Sequence, residues 1–264
     1  MKIYLRELKA SFKSLLIWGF IVALFVVVGV SKFSAYYNNP EMLEMLNSLP
    51  KEVLSILNTQ AFNLTTITGF FGIMFAYYAL LLSIAAAMWG SDIIVKEERD
   101  KTVEFSLTLP VSRGYVVTAK ALAALTNCAG LLLITWGATL IMSTRYQPDS
   151  AYFKFVTLSM IAIFILQVVF LSIGILLGCA LKRYKIASSV ALFVLLGTYF
   201  LSVVVTLNSK LDFLKYVTPF KYFDPAALLR DSRFDLLFVG LSLAIILASL
   251  IGAYTAYSRR DLYI

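Results

Sequence analysis

The side chains that could take part in chemistry are concentrated in one stretch of this sequence. Eight charged residues fall between Asp92 and Glu104, and Leu-Pro-Val-Ser-Arg follows at residues 109–113. Long apolar runs flank the stretch on both sides. A run of mixed charge can set the register and orientation of a protein partner, and it can also be an ordinary solvated loop. The residues alone leave both interpretations open.

The usual catalytic residue sets are missing from the sequence. It contains no histidine, which removes Ser–His and Cys–His nucleophilic pairs and the His-Glu-x-x-His zinc site. It also lacks the Gly-x-x-x-x-Gly-Lys-Ser/Thr loop that binds nucleotide phosphates. We therefore predict no catalytic residue, no metal site and no cofactor on this chain.

The composition is typical of a polytopic membrane protein. Of the 264 residues, 60% are hydrophobic and 14% are charged, whereas soluble domains have about 45–50% and about 25%. The net charge of +8 favours basic residues at an anionic membrane surface over nucleic-acid binding. Cys128 and Cys179 lie within apolar segments, so we expect small apolar fillers rather than a disulfide.

Six apolar runs are long enough to cross the hydrocarbon core of a bilayer, about 30 Å thick, as helices. They are Leu15–Ser31, Thr65–Trp89, Tyr115–Met142, Phe155–Leu181, Ile186–Leu207 and Leu236–Tyr257. No repeat or linker divides them, so residues 1–264 are predicted to form one all-α transmembrane domain. Their central parts contain no Asp or Glu, which argues against an ion-coupled transporter and an intramembrane aspartyl protease.

The distribution of basic residues predicts the orientation of these spans. Lys and Arg are more numerous in the loops on the side of the two termini than in those on the other side. The positive-inside rule then places both termini in the cytoplasm.

Residues 1–14 predict an amphipathic helix. Lys2, Arg6, Lys9 and Lys13 fall on one face at helical spacing. Such a helix would rest on the inner leaflet with its basic face toward the lipid headgroups. The alternative is a simple cytoplasmic extension of the first span.

Residues 208–235 form an outer segment that is rich in aromatic side chains, as is typical of a membrane–water interface. Asp224 followed by Pro225 is a helix N-cap and first-turn pair. It predicts a short helix over Pro225–Asp231. Asp235 is expected to cap the last span.

Local signals in the charged stretch predict a helix, a break and a second helix. Residues 92–107 can continue the second span as a helix. Pro110 disfavours helical geometry at Leu109, and Ser112 can cap the third span.

The stretch resembles a segment in the permease subunits of type-two ATP-binding-cassette (ABC) exporters. That family shows Glu, a spacer, Gly-Thr, Glu, a short apolar stretch, Leu-Pro-Val-Ser-Arg and then Lys. The matching residues are Glu98, Thr102, Glu104, Leu109, Pro110, Val111, Ser112, Arg113 and Lys120, with Lys101 in place of the Gly. The six-span layout, the aromatic Tyr216–Pro225 region and the Ser-Arg-Arg-Asp-Leu ending are also similar.

The resemblance implies that residues 91–113 are a cytoplasmic coupling segment that docks on a separate ATPase. The residues implied in this contact are Glu97, Glu98, Arg99, Thr102, Glu104, Leu109, Pro110, Val111, Ser112 and Arg113. Two ATPase subunits would bind Mg-ATP. A second permease copy, forming a homodimer or a heterodimer, and membrane lipid would complete the assembly in a prokaryotic plasma membrane.

Two further residue sets are candidates for a substrate pathway. Thr198, Ser202 and Thr206 form a weakly polar stripe on the fifth span, which suits a pathway or a dimer interface. Hydroxyls bonded to their own helix are the alternative. The family's re-entrant element implies an outer gate, with an interfacial belt as the alternative; the gate residues would be Tyr216, Pro219, Phe220, Tyr222 and Phe223.

A mostly apolar pathway without charges favours an amphipathic or hydrophobic substrate, such as a peptide, a drug or a lipid, moved outward. A non-transporting scaffold or immunity protein and an ion-coupled secondary transporter are the alternatives. Gly174 and Gly178 form a small-xxx-small pair in the fourth span, and we expect it to pack within the bundle.

Overall fold

The computed structural model describes residues 2–39, 62–100, 111–181 and 183–259, together with residues 41, 44, 48 and 50. These residues form an all-helical bundle and contain no β-strand. The helices are α1 (Lys2–Phe33), α2 (Ile67–Arg99), α3 (Arg113–Ser143), α4 (Ser150–Ala180), α5 (Tyr184–Leu207), the short α6 (Pro225–Asp231) and α7 (Leu236–Ser258).

The six predicted spans are confirmed as α1 to α5 and α7. Each of these helices contains a stretch that is long and apolar enough to cross a bilayer. The chain is therefore a multi-pass membrane protein. The start of α1, the end of α2 and the start of α3 lie at one end of the bundle, together with the end of α4 and the start of α5. We call this the N-terminal end. Residues 208–235 lie at the other, the distal end.

The predicted helix boundaries rest on side-chain caps that the structure contains. The Ser112 hydroxyl accepts a hydrogen bond from the backbone N–H of Tyr115 at 3.2 Å and begins α3. Asp224 caps α6, which spans Pro225–Asp231 as predicted. Asp235 accepts from the backbone N–H of Leu237 at 2.9 Å and begins α7.

The residues predicted to form an amphipathic helix at 1–14 lie in α1. Residues 2–33 form one continuous helix, so no helix boundary separates residues 2–14 from the first span. Two polar contacts hold the start of α1 against its neighbours: Asn127 Nδ2 donates to Ser11 Oγ at 2.7 Å, and Trp89 Nε1 donates to Ser14 Oγ at 2.8 Å. Lys2, Lys9 and Lys13 remain exposed.

The centre of the bundle is α2, which packs closely against α4. A Cβ added at Gly174 would lie 2.5 Å from the carbonyl oxygen of Ala87, and one at Gly178 would lie 2.9 Å from that of Ser91. This confirms the expectation that the glycine pair packs within the bundle. In α2, 67% of the most apolar window is buried, against 22% in α1 and α5, so α1 and α5 present apolar faces outward.

Candidate functional site

The predicted coupling residues flank the connection between α2 and α3. Glu97, Glu98 and Arg99 form the last turn of α2, and Arg113 is the first residue of α3. Val111 and Ser112 precede α3 and are exposed. Four of the predicted residues lie outside the described part of the chain: Thr102, Glu104, Leu109 and Pro110.

Five charged side chains from three helices meet at the N-terminal end of the bundle. This charge cluster consists of Arg6 and Glu7 on α1, Lys96 and Glu97 on α2, and Lys120 on α3. Arg6 Nη2 lies 3.0 Å from Oε1 of both Glu7 and Glu97. Lys96 Nζ lies 3.7 Å from Glu7 Oε2, and Lys120 Nζ lies 3.2 Å from Glu97 Oε2.

Three members of the charge cluster are almost fully removed from solvent. Glu7, Glu97 and Lys120 are 4%, 8% and 1% exposed. The contact between Lys120 and Glu97 is an ion pair without hydrogen-bond geometry. Removing a charged group from water costs on the order of several kcal/mol, and the attraction of an oppositely charged partner must offset that cost. Each carboxylate therefore holds its cations in place, and the cluster fixes α1, α2 and α3 relative to one another.

Arg113 connects the start of α3 to the end of α7. Its Nη1 lies 3.4 Å from the backbone carbonyl oxygens of Tyr257 and Ser258. One turn further along, the hydroxyls of Thr118 and Tyr254 are 2.7 Å apart. These contacts link the start of α3 to the end of α7.

The predicted polar stripe on α5 bonds to its own helix. The hydroxyls of Thr198, Ser202 and Thr206 donate to backbone carbonyls three or four residues earlier, at 2.8, 2.6 and 2.9 Å. This matches the alternative given for these residues. Ser202 is 7% exposed. Its hydroxyl oxygen can still accept a hydrogen bond, although its hydrogen is used within the helix.

The predicted outer gate residues pack onto the distal end of the bundle. Thr218 is buried, and its hydroxyl donates to the carbonyl oxygen of Thr198 at 2.7 Å. The ring of Phe220 lies between those of Phe170 and Tyr199, with centroids 5.1 and 5.4 Å away. This segment is thereby attached to α4 and α5.

The remaining gate residues make further aromatic contacts. Tyr222 stacks on Phe238 of α7 at 5.2 Å, and its hydroxyl donates to the carbonyl oxygen of Tyr216 at 2.6 Å. Phe223 and Pro219 are buried, whereas Tyr216 is exposed.

A cavity of about 110 Å³ lies between the stripe and the gate. We call it the distal cavity. Its lining includes Tyr77 of α2, Tyr199, Ser202 and Thr206 of α5, and Phe220 and Lys221 of the outer segment. The structure therefore brings together two of the three stripe residues and Phe220 and Phe223 of the gate.

Glu7, Tyr77 and Lys221 of these sites were not predicted from the sequence, and Lys120 was noted only as part of the family pattern. Glu7 is the only acidic residue among the basic residues of the first 14, and Lys120 lies within an apolar run, where ionisable groups usually have a role. The sequence therefore contained a signal for each of these two residues. Tyr77 and Lys221 of the distal cavity had no distinguishing sequence pattern.

Comparison with known proteins places these features in one family. A family model described as ABC-2 family transporter protein matches residues 1–262, which include every described helix. The comparison with curated proteins found no match. Members of this family are membrane transport subunits rather than catalytic ones. The chain belongs to the ABC-2 family of transporter proteins, in which it is a multi-pass membrane subunit of an ABC transporter.

Proposed function

We infer that this chain is the permease half of an exporter driven by a separate ATPase. The observation that carries this proposal is the charge cluster, which joins both helices flanking residues 100–112 to α1 through Glu97. A partner that moves this connection would move three helices together. The chain itself has no sequence motif for nucleotide binding, so Mg-ATP would bind to two ATPase subunits.

The coupling contact would use the residues at the two edges of the connection. Glu98, Arg99 and Val111 lie at the surface of the N-terminal end or close to it. Arg99 is paired with Asp92 and Asp100, so α2 ends in a network of charges that can orient a partner. Both termini and this end of the bundle would face the cytoplasm of a prokaryotic cell.

A second copy of the permease would face the exposed apolar surfaces of α1 and α5. Phe20 of α1 is 70% exposed and Phe193 of α5 is 78% exposed. Lipid or a partner must cover such side chains in a membrane. A homodimer would place two distal cavities around one pathway, and a heterodimer would place one.

The substrate would be amphipathic or hydrophobic, and it would be moved outward. The distal cavity combines hydroxyl groups with aromatic rings, and the cores of the described spans contain no Asp or Glu that could couple transport to an ion gradient.

The test is the composition of the complex that a tagged chain forms in its native host. We expect two copies of this chain with two ATPase subunits after purification in mild detergent, and ATPase activity that substrate stimulates. Recovery of the chain without an ATPase, even after gentle crosslinking, would favour a scaffold or immunity protein instead.

A further inference from the structure

The lining of the distal cavity contains one cationic side chain, Lys221, and one carboxylate, Asp224, among otherwise uncharged residues. Lys221 is half-buried, and burial lowers the pKa of its ammonium group, while the negative charges of Asp224 and Asp212 offset part of that effect. None of the carboxylates that the structure describes forms an ion pair with Lys221. The Asp224 carboxylate is exposed, and it is engaged at the start of α6, where it accepts the helix-capping hydrogen bond from Ala226 N–H at 3.2 Å.

Two phenol groups add hydrogen-bond donors to the same cavity. Tyr77 and Tyr199 both line it. Within the described part of the chain, neither phenol donates to another residue. The hydroxyl hydrogens of Ser202 and Thr206 are already used by α5. The donors available to a ligand are therefore one ammonium group and two phenols, which suit an anion.

The cavity is too small for a complete drug-sized ligand. Its volume is about 110 Å³, whereas pockets that enclose such ligands have about 300–1,000 Å³. One water molecule takes about 30 Å³ of liquid volume. The cavity can therefore hold a single small polar group.

An open apolar groove shares one lining residue, Tyr77, with the distal cavity. It has a volume of about 450 Å³ and lies between α1 and α2, with Leu24, Phe25 and Val28 on one side and Leu80 and Ile84 on the other. Tyr77 lines both the groove and the cavity. From Tyr77 to Ile84 the groove extends along α2 by about 10 Å, within the membrane-spanning part of the bundle.

We propose that the distal cavity and this groove together bind an amphiphile with a small anionic headgroup. The headgroup, a phosphate or a carboxylate, contacts Lys221 Nζ and the hydroxyls of Tyr77 and Tyr199. The apolar tail lies in the groove between α1 and α2. The proposal rests on the function inferred above, since this amphiphile would be the transported substrate.

The experiment measures binding of radiolabelled dodecyl phosphate to the full-length chain, with any subunits that co-purify, in phosphatidylcholine nanodiscs. Lys221→Gln should weaken binding by about tenfold or more, as expected for loss of a hydrogen bond to a charged group. Lys221→Arg should keep most of the affinity. Lys210→Gln removes the same charge from an exposed site on the same segment and should have no effect.

A second pair of variants tests the groove without touching the cavity. Val28→Trp fills the groove and should weaken dodecyl phosphate binding. Val27→Trp, at a neighbouring exposed position outside the groove, should not. Dodecyltrimethylammonium and inorganic phosphate should both compete poorly.

Three results would overturn the proposal. They are equal effects of Lys221→Gln and Lys210→Gln, equal competition by the cationic amphiphile, and inorganic phosphate binding as tightly as dodecyl phosphate, which would make this a site for the free anion. The binding assay needs neither ATP nor transport, so its result can be distinguished from a test of the proposed export function. If no ATPase co-purifies but the variants bind dodecyl phosphate as expected, only the export function would be contradicted.

Discussion

Neutralising Glu97 tests whether the charge cluster holds the N-terminal end of the bundle together. In Glu97→Gln, Lys120 loses its ion-pair partner among the described residues while remaining 1% exposed. Breaking a buried pair by removing one partner costs about 3–5 kcal/mol. Since Lys120 and Glu97 lack hydrogen-bond geometry, we expect the lower end of that range, about 3 kcal/mol.

The opposite truncation should cost less. In Lys120→Met, Glu97 keeps Arg6 at 3.0 Å, and a buried cation is replaced by an apolar side chain of similar length. The double variant Glu97→Gln/Lys120→Met should therefore be more stable than Glu97→Gln alone, because replacing both members of a buried ion pair is often close to neutral. The ordering of the three variants distinguishes a buried pair from general damage to α2.

Thermal unfolding in detergent or nanodiscs measures these differences. A loss of about 3 kcal/mol in a protein of this size lowers Tm by about 6–12 °C. Asp100→Asn is the matched control, since it also removes a carboxylate near the end of α2 but leaves an exposed pair with Arg99, worth about 0–1 kcal/mol. Equal unfolding temperatures for Glu97→Gln and Asp100→Asn, or a double variant that is the least stable of the three, would show that Glu97 and Lys120 do not form a stabilising buried pair.

The remaining predictions concern packing, capping and coupling. Gly174→Ala should lower stability by about 1–3 kcal/mol in thermal unfolding, because its Cβ would lie 2.5 Å from a backbone oxygen of α2, whereas Gly240→Ala meets nothing within 4 Å and should be neutral or slightly stabilising. Asp224→Ala removes the cap of α6 and should cost about 0.5–2 kcal/mol, with faster proteolysis of the outer segment as the readout; an unchanged cleavage rate would contradict this. Thr218→Val breaks the hydrogen bond to α5 and should cost about 1 kcal/mol in thermal unfolding; no change in Tm would show that this bond does not hold the outer segment. In the reconstituted complex, Glu97→Gln should retain basal ATPase activity and lose its stimulation by substrate; retained stimulation would separate the charge cluster from coupling.

Sequence periodicity and local capping signals predicted the helices well because both depend on nearby residues. The apolar runs set the six spans, and Ser112, Asp224 and Asp235 cap the helices that follow them. The basic spacing at residues 1–14 predicted a helix for the same local reason. It could not show that Arg6 and the nearby Glu7 meet charges more than 85 positions away in the chain.

The sites could be predicted only in part, because they depend on helix packing. The stripe was proposed from residue type, and the gate from residue type and the family resemblance. Tyr77 lies between these residues only because α2 lies beside α5. Likewise, Lys120 was noted as part of a family pattern, while its pairing with Glu97 requires α3 to return alongside α2. Pairwise contacts between distant segments leave no periodic signal in a single sequence.

Helix α2 connects the two ends of the bundle. Among the described helices, α2 alone contributes to both the charge cluster, through Glu97, and the distal cavity, through Tyr77. These residues are 20 positions apart in one α-helix without proline, a separation of about 30 Å. A tilt of about 5° in such a rod displaces one end by about 3 Å relative to the other, within the range of helix shifts that accompany switching. If an ATPase acts at the N-terminal end, as we propose, we therefore expect a movement of this size to change the width of the distal cavity, whose volume is about 110 Å³.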